Sequence, residues 1–194
     1  EEPPEQTLFL LLTDTQDSIL PTIQSRCQRI LLAAQSLNRE AVWFPTLESI
    51  LIQPLEVGAT LNGLVRSGRL QALLKDRRDA VEKEESATLK DQEIKGEERE
   101  ELLGARVELR VREERMEMLR VMQAWYRDLL LVGLGVERGL MFPDRLDRLR
   151  ILARGATYRQ ALDNIEAIEN MQRQFSRNIK EDVVLTLGFS RLAP

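Results

Sequence analysis

The sequence predicts a mainly α-helical protein with about two β-strands near its N-terminal end. Over most of the 194 residues, apolar side chains recur at spacings of three and four, the pattern of helices that bury one face. Charged residues make up 31% of the chain and aromatic residues only 5%, which also favours helices. Just two short apolar runs, Leu8–Leu12 and Ile30–Ala34, have the character of strands.

The first region, residues 1–34, is predicted to be a strand, a loop and a second strand. Leu8–Leu12 contains no polar residue, so we expect a strand buried on both faces, as in parallel sheets covered by helices. Thr13 ends this run, and Pro21 begins the next motif. The chain starts with Glu1 rather than Met and lacks the phosphate-binding loop Gly-x-x-x-x-Gly-Lys-Ser/Thr. We therefore expect the C-terminal portion of a longer protein whose α/β domain starts upstream.

Residues 35–75 are predicted to form short helices. Pro45 and Pro54 interrupt the helical pattern, because proline removes a backbone donor and clashes with the preceding turn. Apolar residues at spacings of three and four indicate the buried face: Val42, Trp43, Leu47, Ile50 and Leu51.

Residues 76–115 form a separate region by composition, since 24 of these 40 residues are Asp, Glu, Lys or Arg. Its first part is predicted to be a solvated helix or a linker, and its later part a regular helix. A solvated spacer is favoured over a partner-binding insertion. The predicted apolar stripe of the helix continues into the next region: Leu102, Ala105, Leu109, Met116, Leu119, Met122, Tyr126 and Leu129.

Residues 116–194 are predicted to form a helical bundle. Pro143 suits the first turn of a helix that carries Leu146, Leu149 and Leu152. A further helix is predicted from Tyr158 to Phe175. Its apolar side chains are Tyr158, Leu162, Ile165, Ile168, Met171 and Phe175.

The segment Ser25-Arg26-Cys27, with the apolar run that ends at Thr13, resembles the sensor 1 strand and Ser-Arg-Cys segment of AAA+ clamp-loader subunits. The resemblance is closest to the delta-prime subunits of bacterial DNA polymerase III. It implies that residues 1–34 are the end of an AAA+ domain and that Arg26 is an arginine finger acting in trans. Ser25 and Thr22 would position its loop, and Thr13 would occupy the sensor 1 position.

A second resemblance covers the helical part of the chain. Trp125-Tyr126-Arg127-Asp128-Leu129-Leu130 is similar to a pattern in the delta-prime collar, the helical domain that joins five subunits into a ring. This implies that residues 116–194 are an oligomerisation domain. Residues 35–75 would then be lid-like helices, with Ser67-Gly68-Arg69 closest to the family's lid-helix start.

Composition excludes several kinds of chemistry. The chain has no histidine, so it lacks the commonest general base and metal ligand, and its single cysteine, Cys27, permits no internal disulfide. Cys27 is expected to be a small buried residue. Arg127 and Asp128 are expected to form a structural ion pair, and Trp43 and Trp125 to pack in the core. The net charge of −4 argues against bulk DNA binding by this segment, and no apolar run could span a membrane.

The resemblance implies a stator subunit in a hetero-pentameric ring with gamma/tau and delta subunits, which loads the sliding clamp onto primer–template DNA in the cytoplasm. The chain would hold no cofactor and no complete active site. ATP and Mg²⁺ would lie on the neighbouring subunit, within a DNA-directed DNA polymerase (nucleotidyltransferase) holoenzyme. Two alternatives remain: an ATPase motor subunit of the gamma/tau or replication-factor-C type, and a non-replicative helical scaffold.

Overall fold

The computed structural model describes residues 9–13, 19–28, 30, 37–52, 59–90, 96–177 and 179–192. These residues contain helices and no strand, which confirms the mainly α-helical prediction. The helices are α1 (Pro21–Gln24), α2 (Phe44–Ile52), α3 (Ala59–Lys90), α4 (Glu97–Gly133), α5 (Leu146–Ala153), α6 (Tyr158–Ser176) and α7 (Glu181–Arg191), with a 3-10 turn at Pro143–Arg145. The chain divides into two compact units, residues 1–36 and 37–194.

In the first unit, the predicted strand at Leu8–Leu12 is not formed over its described part. Residues 9–13 have no regular secondary structure. The side chains of residues 9–12 are exposed, with Leu12 at 88%. A strand exists only when a neighbouring backbone pairs with it, and the described residues of this unit supply none. Of the second predicted strand only Ile30 is described, and it is not in a strand; the rest lies outside the described residues.

The core of the second unit surrounds the C-terminal half of α4. Trp125 is 1% exposed, and the ring of Phe142 meets it edge-on with centroids 5.4 Å apart. Trp43 is also buried, so both tryptophans pack as predicted. Around them lie the largest fully buried side chains of α2, α3, α5, α6 and α7: Leu47, Ile50, Leu70, Leu149, Ile168 and Phe189.

Two glycines let α7 pack closely against its neighbours. A Cβ atom at Gly63 of α3 would overlap the carbonyl oxygen of Phe189, and one at Gly188 of α7 would overlap the side chain of Met171 on α6. Glycine lets the backbones of α3 and α7 approach closely at Gly63, and it leaves room for the Met171 side chain at Gly188. Arg115 of α4 adds a polar link, since its guanidinium pairs with Glu181 at 2.9 Å and lies 4.2 Å from the centroid of the Phe175 ring.

Helices α3 and α4 run antiparallel and continue together beyond the bundle. Their distal end, residues 77–90 and 97–114, has a small apolar cluster of Val81, Val107 and Val111. Ion pairs flank the cluster on both sides. They join Arg77 to Glu114 at 2.9 Å, Arg110 to Glu84 and Glu85 at 2.8 Å, and Arg78 to Glu108. The first part of the charged region is therefore a paired helix as far as Lys90.

Several sequence expectations were wrong in detail. In the distal half of α4, Leu109 is 58% exposed, and the buried side chains are instead Val107 and Val111. Tyr158 of α6 is exposed where the stripe predicted burial, as is Val42 just before α2. The sequence Ser67-Gly68-Arg69 lies inside α3 rather than at a helix start.

Candidate functional site

The Ser-Arg-Cys segment follows the short helix α1 in the first unit. Pro21 occupies the first helical position, where its fixed φ favours the turn and its missing N–H costs nothing. The carbonyl oxygen of Leu20 accepts hydrogen bonds from the backbone N–H groups of Ile23 and Gln24, at 2.9 and 3.0 Å. The side-chain amide of Gln24 donates to the carbonyl of Ile19 at 2.8 Å. These bonds fix the turn that leads into Ser25.

Arg26 extends from the turn at the end of α1. Its backbone N–H donates to the carbonyl of Ile23 at 3.0 Å, and the Ser25 hydroxyl donates to the carbonyl of Thr22 at 3.1 Å. Ser25 and Thr22 are thus joined in the turn that carries Arg26, and the bond uses the backbone of Thr22 rather than its hydroxyl.

The Arg26 side chain is exposed, and no carboxylate pairs with it among the described residues. An exposed guanidinium offers a planar, permanently charged fork that matches phosphate oxygens on another molecule. The turn can therefore present a cation to another molecule. The described residues of this unit do not bring together the other groups that an active site needs.

The remaining candidate residues of this unit are also exposed. Thr13 lies at the end of residues 9–13, and its sensor 1 role stays a prediction. Cys27 is exposed, so the expectation that it is a buried apolar residue is wrong.

Arg127 and Asp128 form the predicted ion pair, with 3.2 Å between guanidinium and carboxylate. Asp128 is fully buried and accepts a 2.8 Å hydrogen bond from the backbone N–H of Phe142. Burial raises the pKa of the Asp128 carboxyl, and the Phe142 hydrogen bond opposes this effect. Arg127 also donates to the carbonyl of Gly139 at 3.1 Å. The pair therefore anchors the loop after α4.

Sequence reasoning missed that loop anchor, although a signal was present. Asp128 lies three residues after the buried Trp125, on the same side of α4, where a carboxylate requires polar partners. A second missed contact is the bidentate pair between Arg39 and Asp144, at 2.7 and 2.8 Å. The guanidinium of Arg39 also lies 5.3 Å from the ring centroid of Phe142. Both contacts are structural.

The described residues contain no group of three or more His, Cys, Asp or Glu side chains that could hold a metal ion. Within the same part of the chain, no helix is long and apolar enough to cross a membrane.

Comparison with known families gives one partial match. Residues 1–36 match the family described as DNA polymerase III, delta subunit. No curated protein and no solved structure matches the chain. The matched residues include the apolar run at 8–12 and the turn that carries Arg26. The match supports a relationship of this segment to a DNA polymerase III clamp-loader family.

Proposed function

We propose that this chain is a delta-prime-type subunit of a bacterial clamp loader and that it supplies Arg26 in trans to the ATP site of a neighbouring subunit. The observation that carries the proposal is the family match over residues 1–36. The matched residues contain the Ser25-Arg26-Cys27 motif.

The chemistry proposed for Arg26 is electrostatic. Its guanidinium approaches the γ-phosphate of ATP, which the adjacent subunit binds with Mg²⁺, and stabilises the negative charge that develops during hydrolysis. The exposure of Arg26 supports this role, because a finger must leave its own subunit to reach the nucleotide. The Ser25–Thr22 hydrogen bond restricts the turn, which lowers the entropy lost when the finger docks.

The proposed partners follow from the same family. The chain joins gamma/tau and delta subunits in a hetero-pentameric ring, with residues 116–194 contributing subunit contacts. The ring opens the sliding clamp and places it on primer–template DNA in the cytoplasm. The chain itself holds no cofactor and acts as a stator.

The test is Arg26→Ala in the full-length subunit, reconstituted with the other clamp-loader subunits of its source organism. We expect clamp- and DNA-stimulated ATP hydrolysis at the adjacent site to fall roughly 10-fold or more, since arginine fingers contribute roughly 10³–10⁵ in other NTPases. Arg26→Lys should restore little activity, because an ammonium lacks the forked geometry.

Arg112→Ala is the matched control, because Arg112 is also exposed, has no ion pair among the described residues and lies outside residues 116–194. It should leave hydrolysis unchanged. Sizing of each reconstituted ring separates a catalytic loss from an assembly loss. Full turnover at every site in an intact Arg26→Ala ring would exclude the finger role.

A further inference from the structure

Helix α4 carries an apolar stripe on the side away from its partner helix. Leu102, Ala105 and Leu109 follow one another at spacings of three and four, so they share a face. Leu109 is 58% exposed, whereas Val107 and Val111 on the opposite side are buried. Within the described residues, the part of the stripe around Leu109 is therefore an uncovered surface of the distal end.

Carboxylates surround this α4 stripe. Glu98, Glu101 and Glu113 are exposed, and none of them is ion-paired within the described residues. Among the described residues, Arg112 and Arg99 are nearby cations without an ion pair, and Arg112 is exposed. The α4 stripe therefore combines the exposed Leu109 and Ala105 and the half-buried Leu102 with a mainly negative border.

Helix α7 carries a second exposed apolar stripe with the opposite charge. Val183 and Leu187 share its outer face and are 43% and 50% exposed, and Ile179 lies just before the helix at 41%. Arg191 continues the face one turn beyond Leu187. Lys180 is exposed at the start of the helix, and neither cation is ion-paired within the described part of the chain.

A shallow groove between α6 and α7 adjoins this stripe. Leu187 and Arg191 form one side of the groove, and Met171 and Asn170 of α6 form the other. The Met171 side chain already fills the space at Gly188, so the groove does not admit another side chain. The exposed residues Leu187 and Arg191 at its edge are the ones available for contact.

We propose that the α4 stripe of one copy of this chain packs against the α7 stripe of a second copy. Both stripes are exposed in a single chain, so neither covers the other. Their apolar residues repeat at the same helical spacing, and their charges are opposite, which selects this pairing over like-with-like pairing.

The contact is heterologous, because each copy contributes a different surface. Association is therefore open-ended and depends on protein concentration and salt. This inference does not rest on the proposed clamp-loader function.

The test uses two double variants of the full chain and measures mass by analytical ultracentrifugation. Lys180→Glu/Arg191→Glu makes the α7 stripe acidic, and Glu101→Lys/Glu113→Lys makes the α4 stripe basic. All chains, including the parent, also carry Leu10→Ser and Leu12→Ser, so that the exposed residues 9–12 cannot drive association. At roughly 10–100 µM and low salt the parent should associate, whereas each double variant alone should bind itself about tenfold or more weakly.

An equimolar mixture of the two double variants should regain the open-ended association of the parent. In that mixture the acidic α7 stripe of one variant matches the basic α4 stripe of the other, and the two unchanged stripes match as in the parent. Leu134→Ser, at an exposed leucine after α4, is the neutral control and should associate like the parent. A monomeric parent, a monomeric mixture, or single variants that associate as strongly as the parent would each overturn the proposal.

Discussion

At the bundle end of the α3–α4 pair, aromatic and aliphatic side chains fill the space between helices, whereas at the distal end three valines are flanked by arginine–glutamate pairs. In the bundle, α4 packs against four helices, α2, α3, α5 and α6, whereas among the described residues the apolar cluster around Val81 is formed by α3 and α4 alone. The same two helices thus pass from a multilayer core to a two-helix contact.

This difference implies different free energies of local opening. Burial of large apolar side chains contributes about 1.5–3 kcal/mol each, whereas exposed ion pairs contribute about 0–1 kcal/mol. We therefore expect the distal end to open without global unfolding, and the bundle end to open only with it.

The largest effect is expected from a charge placed in the bundle. Ile168 is fully buried, so Ile168→Asp should cost about 4 kcal/mol or more and abolish the cooperative thermal transition seen by circular dichroism. Leu162→Asp, at a half-exposed position on the same helix, is the control and should melt almost normally. A cooperative transition for Ile168→Asp near that of the parent would refute the core assignment.

Glycine-to-alanine changes should alter the free energy of unfolding in opposite directions at the two ends. Gly63→Ala should destabilise by about 1–3 kcal/mol, because its Cβ would overlap the backbone of Phe189. Gly104→Ala in the distal part of α4 meets nothing within 4 Å and should stabilise by about 0.5–1 kcal/mol. Urea denaturation measures both differences. If both variants lost stability, the comparison of the two ends would be wrong.

The ion pair of Arg77 tests the distal end directly. Its side chain is 13% exposed, that of Glu114 is 19% exposed, and two hydrogen bonds of 2.9 Å join them. Arg77→Ala should cost about 1–2 kcal/mol because the partner carboxylate stays half-buried. Hydrogen exchange should accelerate around Val81 and Val107 and remain unchanged around Trp125. Arg112→Ala is the control at an exposed cation, and equal exchange in both variants would contradict the prediction.

The smallest effect concerns pH. The hydrogen bond from Arg78 lowers the pKa of the Glu108 carboxyl, so its stabilising contribution is present above about pH 4.5 and disappears as pH falls through the lowered value. Glu108 is largely exposed, so the contribution should be about 0.2–1 kcal/mol. The parent should therefore melt slightly above Glu108→Gln at pH 7, and the difference should shrink as the pH falls below about 4.5. A difference that grew on acidification would have the wrong sign.

The predictable parts of the fold are those where one helix has one apolar face. The bounds of α6 were predicted within one residue at its C-terminal end, and Pro143 was placed correctly at the turn before α5. In distal α4, however, Leu102 and Leu109 form one stripe and Val107 and Val111 another. Periodicity alone cannot choose between them, because the choice depends on the position of α3.

The candidate site was predictable only as a motif. The residues Ser25, Arg26 and Cys27 identified the segment, but the exposure of Cys27 and the use of the Thr22 carbonyl depend on backbone hydrogen bonds that no residue pattern reveals. The ion pairs of the distal end could not be predicted from the sequence for a similar reason. Composition showed that residues 76–115 are charged, but not which arginine of one helix faces which glutamate of the other.

The continuous α3–α4 pair also has a mechanical consequence. From Met118, the first fully buried methionine of α4, to Glu97, the helix extends about 30 Å at 1.5 Å per residue. Because both helices pack in the bundle, their distal end moves as a rigid extension that pivots near residue 118. A rotation on the order of 10° at the bundle would move the far end by about 5 Å, a displacement comparable to one helical turn.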